Sequence, residues 1–97
     1  MSVKWAISAQ KDLLEISEYL LDNKDEELAE AVAQRILDGA KILLSFPLSG
    51  KPGRIEETRE LAVRKLPYIL IYTTSAENVE IVRIIHTSRL FPESLED

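Results

Sequence analysis

A chain of 97 residues lies at the lower end of the length at which one hydrophobic core makes one domain, so a second core and a repeat array are both excluded. Hydrophobic residues at 45% and charged residues at 30% suffice for a core and argue against global disorder, while a formal charge of -5 argues against nucleic-acid binding by bulk electrostatics. The absence of cysteine removes disulfides, thiolate metal sites and cysteine nucleophiles, and a single histidine does not make a zinc site, so no metal and no cofactor are expected.

Residues 3–7 alternate Val3, Trp5 and Ile7 with Lys4 and Ala6, the period of a short strand. Ser8 suits an N-cap with Asp12 in the first turn behind it, and the spacing predicts a helix over residues 9–21. Leu13, Ile16 and Leu20 recur there at i, i+3 and i+7, with Ala9 and Ser17 on the same side and Lys11, Glu15, Glu18 and Asp22 largely opposite. After a polar break at residues 22–25, Asp25 can cap a second helix over residues 26–45, with Glu26 and Glu27 in its first turn. Leu28, Val32, Ile36, Ala40 and Leu43 trace its apolar stripe, and Phe46 before Pro47 stops it. So short a break makes an αα-hairpin, and Pro47, Gly50, Pro52 and Gly53 then mark a loop without regular structure.

Beyond that loop the period changes from helical to extended. Residues 58–64, 68–75 and 79–88 are strand candidates, separated by Lys65-Leu66-Pro67 and Ala76-Glu77-Asn78, whose shortness implies antiparallel neighbours. The last two are rich in Ile, Val and Tyr on both faces, so either they lie mid-sheet or one face meets the helices and the other something else, a partner being one candidate. The layout is β-α-α-β-β-β, an α+β sandwich with a helical hairpin on one face of a mostly antiparallel sheet. It is expected to form a single domain over residues 1–97, with a short acidic C-terminal tail at residues 93–97. The longest apolar run, residues 67–72, is far shorter than the ~20 residues of a membrane span. No basic stretch followed by a hydrophobic one opens the chain, and the expectation is a soluble, cytoplasmic protein with no membrane partner. Residues 1–46 carry five basic and nine acidic side chains, residues 47–92 seven and five, and residues 93–97 three acids, so positive charge gathers in the second half.

The chemically interesting residues are Arg59, Arg64, Lys65, Arg83, His86 and Arg89, all on or beside the predicted strands. None forms a catalytic spacing by itself. Gly50-Lys51-Pro52-Gly53 is not followed by the helix a phosphate loop opens, there is no HExxH, and one histidine makes no triad without a nucleophile and an orienting acid. Arg83 interrupts the apolar face of Val79, Ile81 and Ile85 and needs a partner there, either a carboxylate such as Asp12 or Glu60, or a ligand. His86 falls on the opposite parity with Val82 and Ile84, as a hydrogen-bonded structural residue or as a base. Arg59 and Arg64 differ in parity and cannot both face one ligand without a bulge; solvated strand edges are the simpler reading. Trp5, Tyr19 and Tyr68 read as core and rim aromatics or as stacking platforms for bases.

Ser8-Ala9-Gln10-Lys11-Asp12-Leu13 with Ile16 and Tyr19, Phe46-Pro47 with Gly50, Thr58-Arg59-Glu60-Leu61, Tyr68-Ile69-Leu70-Ile71-Tyr72, and Val82-Arg83-Ile84-Ile85-His86 with Arg89 occur in an order and spacing that resembles the ParE branch of the RelE/ParE toxin superfamily. The resemblance spans nearly the whole chain. It implies the toxic half of a bacterial type II toxin-antitoxin, or plasmid stabilisation, module, encoded beside a small antitoxin that holds it inactive. RelE-like members enter the ribosomal A site and cut mRNA without a metal, whereas ParE-like members inhibit DNA gyrase and are not known as enzymes.

Metal-free RNA cleavage needs a base for the 2′-hydroxyl, an acid for the leaving oxygen and cations around the phosphorane. Arg64, Lys65, Arg83 and His86 would supply the cationic part, with Glu56, Glu57 or His86 as base. The ribonuclease-branch Tyr near the C-terminus has Phe91 as its nearest counterpart, which lacks a hydroxyl, and the acidic net charge departs from the strongly basic ribosome-binding members. The resemblance therefore implies a gyrase inhibitor that is not an enzyme, with Arg59, Arg83, His86 and Arg89 at the target surface and a cognate antitoxin as partner. Direct DNA binding is not expected without that antitoxin. A ribosome-dependent mRNA endoribonuclease is the alternative, and a non-toxic antitoxin-binding remnant a second one.

Overall fold

A computed structural model describes residues 1–88; Arg89, Phe91 and the acidic segment 93–97 lie outside the described residues. The elements run β1 (Ser2–Trp5), α1 (Ile7–Asp22), α2 (Glu26–Ser45), β2 (Lys51–Pro52), β3 (Arg59–Ala62), β4 (Tyr68–Thr74) and β5 (Asn78–His86). One five-stranded sheet has the order β1-β5-β4-β3-β2, antiparallel except where β1 runs parallel to β5, and the helices pack on one face. This is the α+β architecture the sequence predicts, with one strand more. β2 forms inside the expected irregular loop because Lys51 and Pro52 pair with Glu60 and Arg59, and proline is tolerated at a sheet edge where its missing N–H faces no strand.

The first helix begins two residues before the predicted start and is not capped by Ser8. Ala6 is the N-cap, with no side-chain hydrogen bond and no acid in the first turn. The Ser8 hydroxyl donates instead to the Val82 carbonyl at 2.7 Å. The N–H groups at an exposed helix start can bind water, whereas a strand edge lying under a helix cannot, so the cap yields to the edge. The second helix keeps its predicted span, and the Asp25 carboxylate accepts from the Leu28 N–H at 3.0 Å as an N-cap. Between the helices, Lys24 N–H donates to Leu21 O and Asp25 N–H to Leu20 O, a Schellman closure that sets Lys24 at φ 59°.

Ala9, Val32, Ile36, Ala40 and Leu43 meet Val63, Leu70, Tyr72, Val79, Ile81 and Ile84 in the main core, with Leu13, Ile16 and Leu20 partly buried against it. Leu28, expected on this stripe, is exposed, and Ala29 takes its place. The other sheet face carries a smaller cluster of Ile71, Val82 and Ile85, packed by Ala6 and Ile55.

The face assignment along β5 differs from simple alternation. Ile71 pairs with Arg83 and Tyr72 with Ile81, leaving Val82 as an extra residue in a β-bulge. The bulge inverts parity, so Ile84 and His86 share the helix-covered face with Val79 and Ile81, while Ile85 joins Val82 on the far face. Among the described residues no helix is long and apolar enough to cross a membrane.

Candidate functional site

β1 pairs with β5 only as far as Ile81, and from there α1 covers the open edge of β5. Ala6 N–H donates to Ile81 O at 2.9 Å, the Ser8 hydroxyl bonds Val82 O, and Asp12 Oδ2 accepts from the Ile84 N–H at 2.9 Å. Ser8 and Asp12, four apart on one helix face, thus complete the hydrogen bonds of a strand edge. Arg83 locks the arrangement, its Nε donating to Asp12 Oδ2 at 2.8 Å and its Nη2 to Asp12 Oδ1 at 3.3 Å. The two side chains are 19% and 13% exposed, which makes this a largely desolvated pair. Of the two partners weighed for Arg83, the carboxylate of Asp12 is the one the fold supplies.

A second knot secures the loop after α2. The Tyr72 hydroxyl, fully buried, donates to Pro47 O at 2.9 Å and accepts from the Gly50 N–H at 2.9 Å. A Cβ at Gly50 would lie 2.6 Å from that hydroxyl and 2.8 Å from the Glu60 carbonyl, so only glycine fits. Arg59 is half-buried and donates through Nη1 to Gly50 O at 2.7 Å and to Leu48 O at 3.4 Å. It is a loop fastener rather than a solvated edge residue. On the opposite face of β3, Glu60 is buried, accepts from the Arg54 N–H at 2.8 Å and lies 3.6 Å from Arg54 Nε.

Arg64 and Lys65 occupy the β3–β4 turn and are exposed, with Lys65 at φ 64°. His86 lies at the same end of the sheet, paired with Tyr68, and its ring stands edge-on to the Tyr68 ring at 5.3 Å. His86 Nδ1 accepts from the Ser88 N–H at 3.1 Å, which places the imidazole proton of the neutral ring on Nε2. A cleft of about 290 Å³ opens here between α1 and the strands, lined by Asp12, Glu15, Ile16, Tyr19, Tyr68, Ile84, His86 and Ser88. Tyr19, 68% exposed, is its rim, while Trp5 and Tyr68 pack against the core. Among the described residues, no three His, Asp or Glu side chains come together as a metal site.

Among the described residues, eleven large hydrophobic side chains are exposed, and all but Met1 lie between Ile7 and Leu48, on or directly after the two helices. Ile7, Leu14 and Leu21 form one stripe along α1 at seven-residue spacing, and Ile42, Leu44, Phe46 and Leu48 extend the surface at the end of α2.

The sequence placed Arg83, His86 and Arg59 on strands, and the fold brings none of them to a common point: Arg83 turns to α1, Arg59 to the loop, His86 to the cleft. Ser8 and Tyr72 fasten the sheet edge and the loop after α2 through partners that no local sequence pattern marks. Asp12 carried a readable signal, since on the helix wheel it adjoins the apolar stripe of Ala9 and Ile16, where a carboxylate needs a partner.

A family model described as "ParE toxin of type II toxin-antitoxin system, parDE" matches residues 3–91. The chain is 37% identical over 93 residues to "Putative toxin Y4kP" of Sinorhizobium fredii, covering 96% of this chain and 95% of that protein. Its fold superposes with a TM-score of 0.81 and 25% identity on a chain of the solved "Chromosomal ParDE TA system from P. aeruginosa", covering 89% of this chain and 95% of the other.

Proposed function

The chain belongs to the ParE toxin family of type II toxin-antitoxin systems, and on that premise we propose that it is held inactive by a small cognate antitoxin and, when unopposed, binds DNA gyrase without breaking a bond itself. The observation that carries the non-enzymatic reading is the Arg83–Asp12 pair. A phosphorane gains charge that a catalytic cation must meet, and a guanidinium already bonded to a carboxylate through two nitrogens offers little further neutralisation. Arg64 and Lys65 stand in an exposed turn, where solvent screens them. Neither arrangement is the dry, converging cluster that metal-free RNA cleavage needs.

The antitoxin reading is supported by the apolar surface of the helical layer and by the name of the solved relative, a toxin-antitoxin system. A disordered segment that folds on binding would bury Ile7, Leu14 and Leu21 by laying its own apolar face along α1. Production of the chain in bacterial cells should arrest growth, and co-production of the small protein encoded beside it should restore growth and co-purify with it. A harmless, monomeric chain with no such neighbour would contradict both halves of the reading.

A further inference from the structure

We propose that the outward face of α1 is a contact surface for a second copy of this chain, the two helices lying antiparallel across a two-fold axis beside Leu14. Ile7, Leu14 and Leu21 are 71%, 58% and 47% exposed and follow one another at seven-residue intervals, so they run along one side of the helix. At about 100° per residue, that side points away from Ala9, Ile16 and Leu20, which pack on the core. Lys11 and Glu18 border the stripe on one flank, both exposed and neither in a described ion pair. Gln10 and Ser17 border it on the other. Glu15 and Asp22 stand further round the helix, about 100° and 80° from Leu14, outside the seam.

The pattern is self-complementary, which is what points to a second copy. Two-fold symmetry sets Leu14 against its own equivalent, Ile7 against Leu21 of the second copy and Leu21 against Ile7 of the second copy, so each exposed apolar side chain meets another. The same rotation keeps each flank on its own side and brings Lys11 beside Glu18 of the second copy, twice over. A parallel pairing would turn the flanks over and leave Lys11 and Glu18 facing Gln10 and Ser17, with no ion pair, so the charges select the antiparallel one. The contact is small. A helix of 16 residues is about 24 Å long, and one face of it covers less than the ~800 Å² per partner of a stable interface, so the pair is weak and exchangeable. The dimer does not rest on the antitoxin reading, although both partners would take the same stripe.

Sedimentation equilibrium of the purified full chain tests this, over concentrations from about 10 μM to about 1 mM, the range in which a weak dimer dissociates. The wild type should pass from monomer to dimer across that range. Leu14→Asp sets two like charges at the centre of the seam and should remain monomeric throughout. Lys11→Glu should weaken association by about tenfold, since two attractive pairs become repulsive. Combining Lys11→Glu with Glu18→Lys should restore it, because both pairs re-form with their signs exchanged. All three positions are exposed, and circular dichroism should show wild-type helix content in every variant. A wild type that stays monomeric up to the highest concentration would overturn the proposal. A dimer that Leu14→Asp leaves intact would overturn it by placing the contact on another face. A double exchange that associates no more tightly than Lys11→Glu alone would overturn the antiparallel register. None of these outcomes bears on the antitoxin reading, which stands or falls with binding of the neighbouring protein.

Discussion

Removing the Asp12 carboxylate perturbs the point where α1 closes the sheet, and two substitutions separate its roles. Asp12 accepts three hydrogen bonds, two from Arg83 and one from the Ile84 N–H. Asp12→Asn keeps one side-chain acceptor and loses the charge. Asp12→Ala leaves a largely desolvated guanidinium without its carboxylate and the Ile84 N–H without an acceptor. A fully buried pair broken on one side costs about 3 to 5 kcal/mol and an exposed one less than about 1, so a pair with 19% and 13% exposure falls between them. We expect about 1 to 2 kcal/mol for Asn and about 2.5 to 4 kcal/mol for Ala, with the orphaned Ile84 N–H contributing part of the difference. For a domain of this size each kcal/mol lowers the midpoint temperature by about 5 °C. Urea unfolding followed by the fluorescence of Trp5, the single tryptophan, measures the cost, and hydrogen exchange at Ile84 should accelerate in Asp12→Ala more than at Leu70. An Ala variant no less stable than the Asn variant, or unchanged protection at Ile84, would refute the edge-closing role.

Ile36 is fully buried beneath the sheet, so Ile36→Ala should cost about 2 to 5 kcal/mol in the same assay, and an unchanged midpoint would show the stripe is not core. Tyr72→Phe should cost about 1 to 3 kcal/mol, because the Gly50 N–H and the Pro47 carbonyl both lose their buried partner. Lys24→Gly should stabilise by a few tenths to about 1 kcal/mol, since φ 59° strains a side-chain-bearing residue, and loss of stability there would contradict the Schellman closure.

The elements were legible because their signals are local: the α2 span follows from Asp25, the apolar stripe and Phe46-Pro47, and each hairpin from its short turn. What the sequence concealed was set by pairing across the chain. The bulge at Val82 reverses which residues of β5 face the helices, and no local pattern marks it, because Val82, Ile84 and Ile85 are apolar on either parity. Ser8 looked like a cap because capping is judged from neighbours in sequence, whereas its partner is Val82, 74 residues away. β2 was hidden for a similar reason, as a two-residue strand exists only through its pairing with β3. The family motifs, by contrast, were readable, and the fold explains several of them: Ser8, Asp12 and Arg83 build one knot, and Pro47, Gly50, Arg59 and Tyr72 the other.

Supercoiling by purified gyrase in the presence of the purified chain tests the functional account most directly, run beside cleavage of mRNA on programmed ribosomes with the same preparation. The account predicts inhibition of supercoiling, relieved by the protein encoded by the neighbouring gene, with mRNA intact. Codon-dependent cuts in the mRNA with supercoiling unaffected would contradict it and identify a ribosome-dependent nuclease instead.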